Sequence, residues 1–170
     1  VALMEQRLAQ EKGAARIVNA SISGDTTSGG RSRLPALLKQ HQPSLVIVEL
    51  GGNDALRGLP MGVTRDNLTA MTRAAQTAGA TVVLAGMQLP PNYGRAYGDS
   101  FAKVFGDVAT QEKAALVPFL LRGVGDVKDS EKYFQSDRIH PNESAHPVIL
   151  ANVWSVVMPL LASPKRRPTR

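Results

Sequence analysis

LVIVELGGND, residues 45–54, carries the reading from which the fold follows. LVIVEL, residues 45–50, is continuously apolar until its end and rich in β-branched residues, with no polar alternation. That pattern suits a parallel strand covered on both faces. Gly51 and Gly52 then let the chain turn sharply, so that Asn53 is presented at the strand's carboxyl end. An amide there can donate to a developing oxyanion, and a plain Gly-Asn turn is the competing reading.

Outward from this strand the pattern alternates. Upstream, RIVNA (16–20) is a short β-branched run that empties into the loop SISGDTTSGG (21–30), and Leu3, Met4 and Leu8 stripe a helix over residues 1–12 that stops at Gly13. Between loop and strand, Leu34, Leu37 and Leu38 mark a helix with Pro35 in its first turn, ending before Pro43. Downstream, Thr64 is positioned to cap a helix bearing Leu68, Met71, Ala75 and Ala78 that stops at Gly79. The strand TVVLA (81–85) follows, then a helix with Tyr97, Phe101, Val104, Phe105 and Val108, the strand ALVPF (115–119), and a last helix with Ile149, Val153, Val156, Val157 and Leu160.

Strands alternating with amphipathic helices require a parallel sheet wrapped on both faces, which predicts a three-layer α/β/α sandwich. One domain over residues 1–162 accounts for the chain, and 163–170 reads as a basic, flexible tail. In such sheets ligands sit beyond the carboxyl ends of the strands, so the loops after Ala20, Leu50, Ala85 and Phe119 should converge on one site.

Composition narrows the chemistry. Cysteine is absent, which removes disulfides and thiolate nucleophiles, and no cluster of three ligands suggests a metal. Of the net charge of +6, four positive charges belong to Lys165, Arg166, Arg167 and Arg170 in the tail, leaving +2 for the rest. This is a solvated tail rather than a nucleic-acid surface, so no nucleic-acid partner is expected. No apolar run reaches the length of a membrane span, which predicts no integral membrane association.

Asp137-Arg138-Ile139-His140 precedes the last helix. Three-residue spacing in a loop lets the carboxylate fold back to Nδ1 of His140, leaving the other nitrogen to act as a general base. Asp and His are also ordinary loop residues near helix starts. Gly24 has no side chain to block approach to its N–H, yet Gly-Asp is common turn chemistry. Gly24 and Gly29 fall on the glycine spacing of a phosphate loop, with Arg31 and Ser32 close behind, but no lysine follows the second glycine. His41 at a helix end and His146 in the first turn of the last helix read as structural or surface residues.

VNASISGDTTSGG, RLPALLKQHQP, VELGGNDALRG, LPPNYG and DRIHPN, in this order, closely resemble the SGNH (GDSL-like) hydrolase family over almost the whole chain. The resemblance implies a flavodoxin-like sheet and hydrolysis of esters, thioesters or lysophospholipids by Ser-His-Asp catalysis, without a cofactor. It makes Gly24 and Asn53 oxyanion donors and Asp137 and His140 the acid–base pair. It makes residues 55–62 a mobile loop beside the acyl pocket, and the stretch 89–94, with Leu89, Asn92 and Tyr93, the acyl channel.

The family's first block, a strand entering Gly-Asp-Ser-Leu that supplies the nucleophile, has no counterpart in these 170 residues. Gly24-Asp25-Thr26 is a poor substitute, because its flanks match the second block, so Thr26 is not the expected nucleophile. The flavodoxin-like order places the first strand between RIVNA and LVIVEL, and its loss would strip both of ladder bonds. The expectation is therefore a segment outside this sequence that completes the sheet. A monomer or weak homo-oligomer, periplasmic or secreted, is what the resemblance implies. Two other readings stand beside the hydrolase: a non-hydrolytic acyl- or ester-binding domain, and a phosphate-binding loop at 24–32.

Overall fold

The computed structural model describes residues 1–11 and 15–162. In chain order the elements are α1 (Ala2–Gln10), α2 (Thr27–His41), β1 (Leu45–Val48), α3 (Gly52–Leu56), α4 (Met61–Thr77), β2 (Thr81–Ala85), α5 (Arg95–Glu112), β3 (Ala115–Val117) and α6 (His146–Ala162). The three strands form one parallel sheet in the order β1-β2-β3, with Leu45 paired to Thr81 and Val83 to Ala115.

Because side chains alternate across a strand, the sheet sorts its apolar residues into two layers. Val48, Val82 and Leu84 pack with Leu38 of α2, Leu68 and Met71 of α4, and Phe101 and Phe105 of α5. Val83 and Val117 face the other way, onto Val153 and Val157 of α6, with Met4 of α1 alongside. Arg7 of α1 lies over the Trp154 ring, 4.8 Å from its centroid, and ties the two helices of that layer together. The layers are those of an α/β/α sandwich.

Several local expectations are corrected. RIVNA (16–20) is not a strand: the sheet's order leaves β1 as an edge, and no ladder partner among the described residues reaches residues 16–20. A strand without a partner has no bonds to hold it, and Val18 is accordingly exposed. The helix expected to start near Leu34 starts at Thr27, seven residues earlier, so Pro35 is interior and not in the first turn. Ser, Thr and Gly there suggested loop, but Gly30 serves close packing: a Cβ on it would lie 2.2 Å from Leu50 Cδ1. Thr64 caps nothing, because α4 begins after Pro60 and buries Thr64 in its first turn. β1 and β3 each end two residues before the apolar run does.

The segment Glu143–Ala162 is long and apolar enough, by length and composition, to cross a bilayer, contrary to the sequence expectation. In this fold α6 instead lays Val153 and Val157 on the sheet and buries Trp154 beneath Arg7 of α1. The Gly13 stop, Lys12 and the tail 163–170 lie outside the described residues.

Candidate active site

The loop between residues 20 and 26 makes a tight turn, closed by the Asp25 N–H donating to the Ile22 carbonyl at 3.3 Å. Gly24 occupies its third position with φ +75°, a conformation that side chains disfavour and glycine accepts at no cost. Among the described residues no hydrogen bond takes up the Gly24 N–H, which is left outside the turn. Thr26 closes the loop as N-cap of α2, its hydroxyl accepting from the Gly29 N–H at 3.4 Å.

Gly51, with φ +118°, turns the chain from β1 into α3 and puts Asn53 in the first turn of that short helix. Asn53 Nδ2 donates to the Asp25 carbonyl at 3.0 Å. An amide nitrogen carries two protons, so a second donor remains. Next to it, Asp54 is fully buried and accepts from the Thr27 N–H at 2.8 Å, from the Thr27 hydroxyl, and from Thr64 Oγ1 at 3.4 Å. A buried carboxylate is tolerated only with such partners. Asn67 extends the network, with Nδ2 donating to both Thr27 Oγ1 and Ser28 Oγ at 3.0 Å. The starts of α2 and α3 are thereby fastened together, which brings Gly24 and Asn53 to one end of the sheet.

Asp137 and His140 sit on a second loop whose base is an antiparallel bridge between Phe134 and Pro141. The Gln135 N–H donates to the His140 carbonyl at 2.8 Å, and Arg138 turns the chain with φ +58°. The carboxylate folds back on the loop: Oδ1 accepts from the backbone N–H of His140 and of Ile139, each at 2.9 Å, and Oδ2 lies 2.8 Å from His140 Nδ1. The two backbone donors, with the ring's hydrogen bond behind them, hold the Asp137 carboxyl down at about 2. Both side chains are exposed, with Nε2 of His140 on the side away from Asp137.

The predicted residues thus fall into two pairs. Gly24 and Asn53 are joined through the 24–25 segment, Asp137 and His140 through their own loop, and no hydrogen bond among the described residues crosses between the pairs. Leu89 packs against the core, Asn92 is exposed and Tyr93 half-buried on a 3-10 turn. A cavity of about 310 Å³ at the carboxyl ends of β2 and β3 is lined by Gln88, Phe119, Arg122 and Asn152, and by none of the predicted site residues. His41 ends α2 and His146 begins α6, and no hydrogen bond among the described residues joins either to these pairs.

The phosphate-loop spacing is filled by other chemistry. Arg31 donates to Asn67 Oδ1 at 3.1 Å, and the Asp25 carboxylate occupies the space that Gly29 leaves open, putting a negative charge where a phosphate would sit. Sequence reasoning missed Asp25, Arg33 and Arg57 as parts of the site. Arg33 donates to Asp25 Oδ2 at 2.8 Å, and Arg57 Nη2 to the Gly24 carbonyl at 3.0 Å. Nothing in their spacing announces a contact made across α2 and α3.

The chain is similar to several known proteins. A profile of the GDSL-like Lipase/Acylhydrolase family matches residues 1–148. The chain is 53% identical over 161 residues to esterase TesA of Pseudomonas aeruginosa, covering 95% of this chain and 79% of that protein. It is 42% identical over 145 residues to thioesterase 1/protease 1/lysophospholipase L1 of Escherichia coli K12, covering 85% of this chain and 68% of that enzyme. A crystal structure of TesA superposes with a TM-score of 0.89 at 53% identity, covering 94% of this chain and 87% of that one.

Proposed function

The chain belongs to the GDSL-like lipase/acylhydrolase family, and on that premise we propose that it is a serine hydrolase of carboxylic esters and thioesters. The observation that carries the reading is the contact of His140 Nδ1 at 2.8 Å with an Asp137 carboxyl that backbone donors hold well below its usual range, which leaves Nε2 for proton transfer.

In this reading a serine hydroxyl attacks the acyl carbon while His140 Nε2 takes its proton and Asp137 stabilises the imidazolium. The Gly24 N–H and the second Asn53 N–H receive the negative charge that develops on the carbonyl oxygen. Collapse of the tetrahedral intermediate expels the alcohol or thiol, which takes the proton back from Nε2. Water then repeats the sequence on the acyl-enzyme. Leu89, Asn92 and Tyr93 line the acyl side. The substrate is a small acyl ester or thioester, with aryl esters and lysophospholipids within the family's range.

The serine belongs to a strand that lies against the open edge of β1 and is supplied by a segment outside these 170 residues. Residues 1–162 then form one catalytic domain, monomeric or weakly self-associating, and 163–170 a solvated tail. Neither nucleic acid nor membrane insertion enters the reading, and a periplasmic or secreted site fits it.

The test is turnover of a p-nitrophenyl acyl ester by the full-length protein, together with labelling by a fluorophosphonate that reacts with activated serines. Turnover and labelling are expected, with His140→Ala lowering kcat by about 10³-fold or more. A protein that neither turns over the ester nor takes the label would overturn the hydrolase reading in favour of a non-hydrolytic acyl-binding domain.

A further inference from the structure

The segment between Ala20 and Thr26 is held from outside by a group that the hydrolase reading leaves unused. Arg33, in the second turn of α2, donates through Nε to Asp25 Oδ2 at 2.8 Å and through Nη1 to the Ala20 carbonyl at 2.5 Å. One planar guanidinium therefore grips the loop on both sides of the Gly24 turn. Asp25 is the hub of the contact. Its N–H closes the turn onto Ile22, its carbonyl accepts from Asn53 Nδ2, and its Oδ1 accepts from the Thr26 N–H at 2.9 Å.

A second observation shows that the fold makes room for this hub. Gly29 stands in the first turn of α2, where a Cβ would lie 1.9 Å from Asp25 Oδ1. Any side chain at 29 would expel the carboxylate. The Asp25 and Arg33 side chains retain only 13% and 27% of their exposure, so the pair is far drier than a surface ion pair.

We infer that Arg33 is a positioning residue for the oxyanion hole: through Asp25 it fixes the Gly24 turn and Asn53 relative to one another, and it neutralises a carboxylate that would otherwise oppose charge on the substrate oxygen. The inference rests on the hydrolase reading. Its energetic logic is that donors stabilise a transition state only when already aimed, since reorienting them during the reaction costs what they would contribute. A free Asp25 would loosen both donors at once and leave its charge uncompensated.

The experiment compares the full-length protein with Arg33→Gln, Arg33→Lys and Asp25→Asn, reading kcat, KM, Tm and the inhibition constant of an alkyl boronic acid, which mimics the tetrahedral intermediate on serine. Arg33→Gln should lower kcat by about 10- to 100-fold, leave KM within about 2-fold, and weaken the boronic acid by the same factor as kcat. Lysine keeps the ion pair but cannot span to Ala20, so Arg33→Lys should fall between wild type and Arg33→Gln. Asp25→Asn should lower kcat as well, without KM rising. If Arg33→Gln lowers only Tm, with kcat and the boronic acid unchanged below the unfolding range, Arg33 is a structural brace and the inference is overturned. Wild-type protein inactive towards the ester would instead overturn the hydrolase reading, and this inference with it.

Discussion

Asp137 stays ionised because its donors are part of its own loop. The backbone N–H groups of His140 and Ile139 point at Oδ1 whatever the ring does, which keeps the carboxyl at about 2 against a usual 3.8. Folded-state depression of an acid stabilises the fold above the unfolded value, and that contribution is lost as pH falls from about 4 towards 2. The carboxyl carbon of Asp137 should therefore titrate near 2 by NMR, and a midpoint near 4 would show that the loop does not hold it this way. The acid limb of kcat/KM above pH 4 then belongs to another group. Asp137→Asn should lower kcat by about 10²- to 10⁴-fold with little change in KM, through loss of the ring's orientation. Unchanged kcat in steady-state assays would remove Asp137 from the mechanism.

At the scale of elements, two glycines show how differently close approach can be enforced. Gly86 follows β2 and is hydrogen-bonded on both sides, its N–H to the Val117 carbonyl and its carbonyl to the Leu120 N–H, each at 2.8 Å. A Cβ there would sit 2.3 Å from the Pro118 carbonyl oxygen, which is backbone and cannot rotate away. Gly30 of α2 faces Leu50 Cδ1 instead, the far end of a side chain that can change rotamer. Gly86→Ala should cost about 2 kcal/mol or more and Gly30→Ala clearly less, measured by urea unfolding. The reverse order would mean that the β2–β3 junction yields more readily than the α2–β1 contact.

For the whole molecule the open edge of β1 is the governing feature. Among the described residues, 16–20 run beside no strand, Ile22 is 58% exposed, and the sheet has three strands where the flavodoxin-like order calls for more on the β1 side. If a strand carrying the serine fills this edge, the folded, active protein has an intact mass above 18.2 kDa, and the amides of residues 16–20 are protected from hydrogen exchange. Full activity at 18.2 kDa without an accompanying peptide would place the nucleophile within these 170 residues and overturn that assignment.

TVVLA was legible as a strand because continuous apolar residues between Gly79 and Gly86 leave no other way to bury every side chain. The alternation of such runs with apolar helical stripes determined the layered α/β architecture, and the three-residue interval from Asp137 to His140 made their pairing legible, since both ends of that contact lie in one turn. RIVNA looked the same locally, but a strand exists only through a partner, and partnership is decided by which segments the fold brings alongside. The Ser-Thr-Gly run at 21–30 looked like loop because glycine's usual meaning is conformational freedom. Tertiary packing gave two of those glycines another use, admitting the Asp25 carboxylate and the Leu50 side chain. The bonds that assemble the oxyanion side, Asn53 to Asp25, Arg33 to Asp25 and Arg57 to Gly24, were decided by the tertiary structure alone. Two of them join residues about 30 apart in the chain, and Arg33 reaches Asp25 only because α2 begins early enough to put Arg33 on the helix whose N-cap directly follows Asp25.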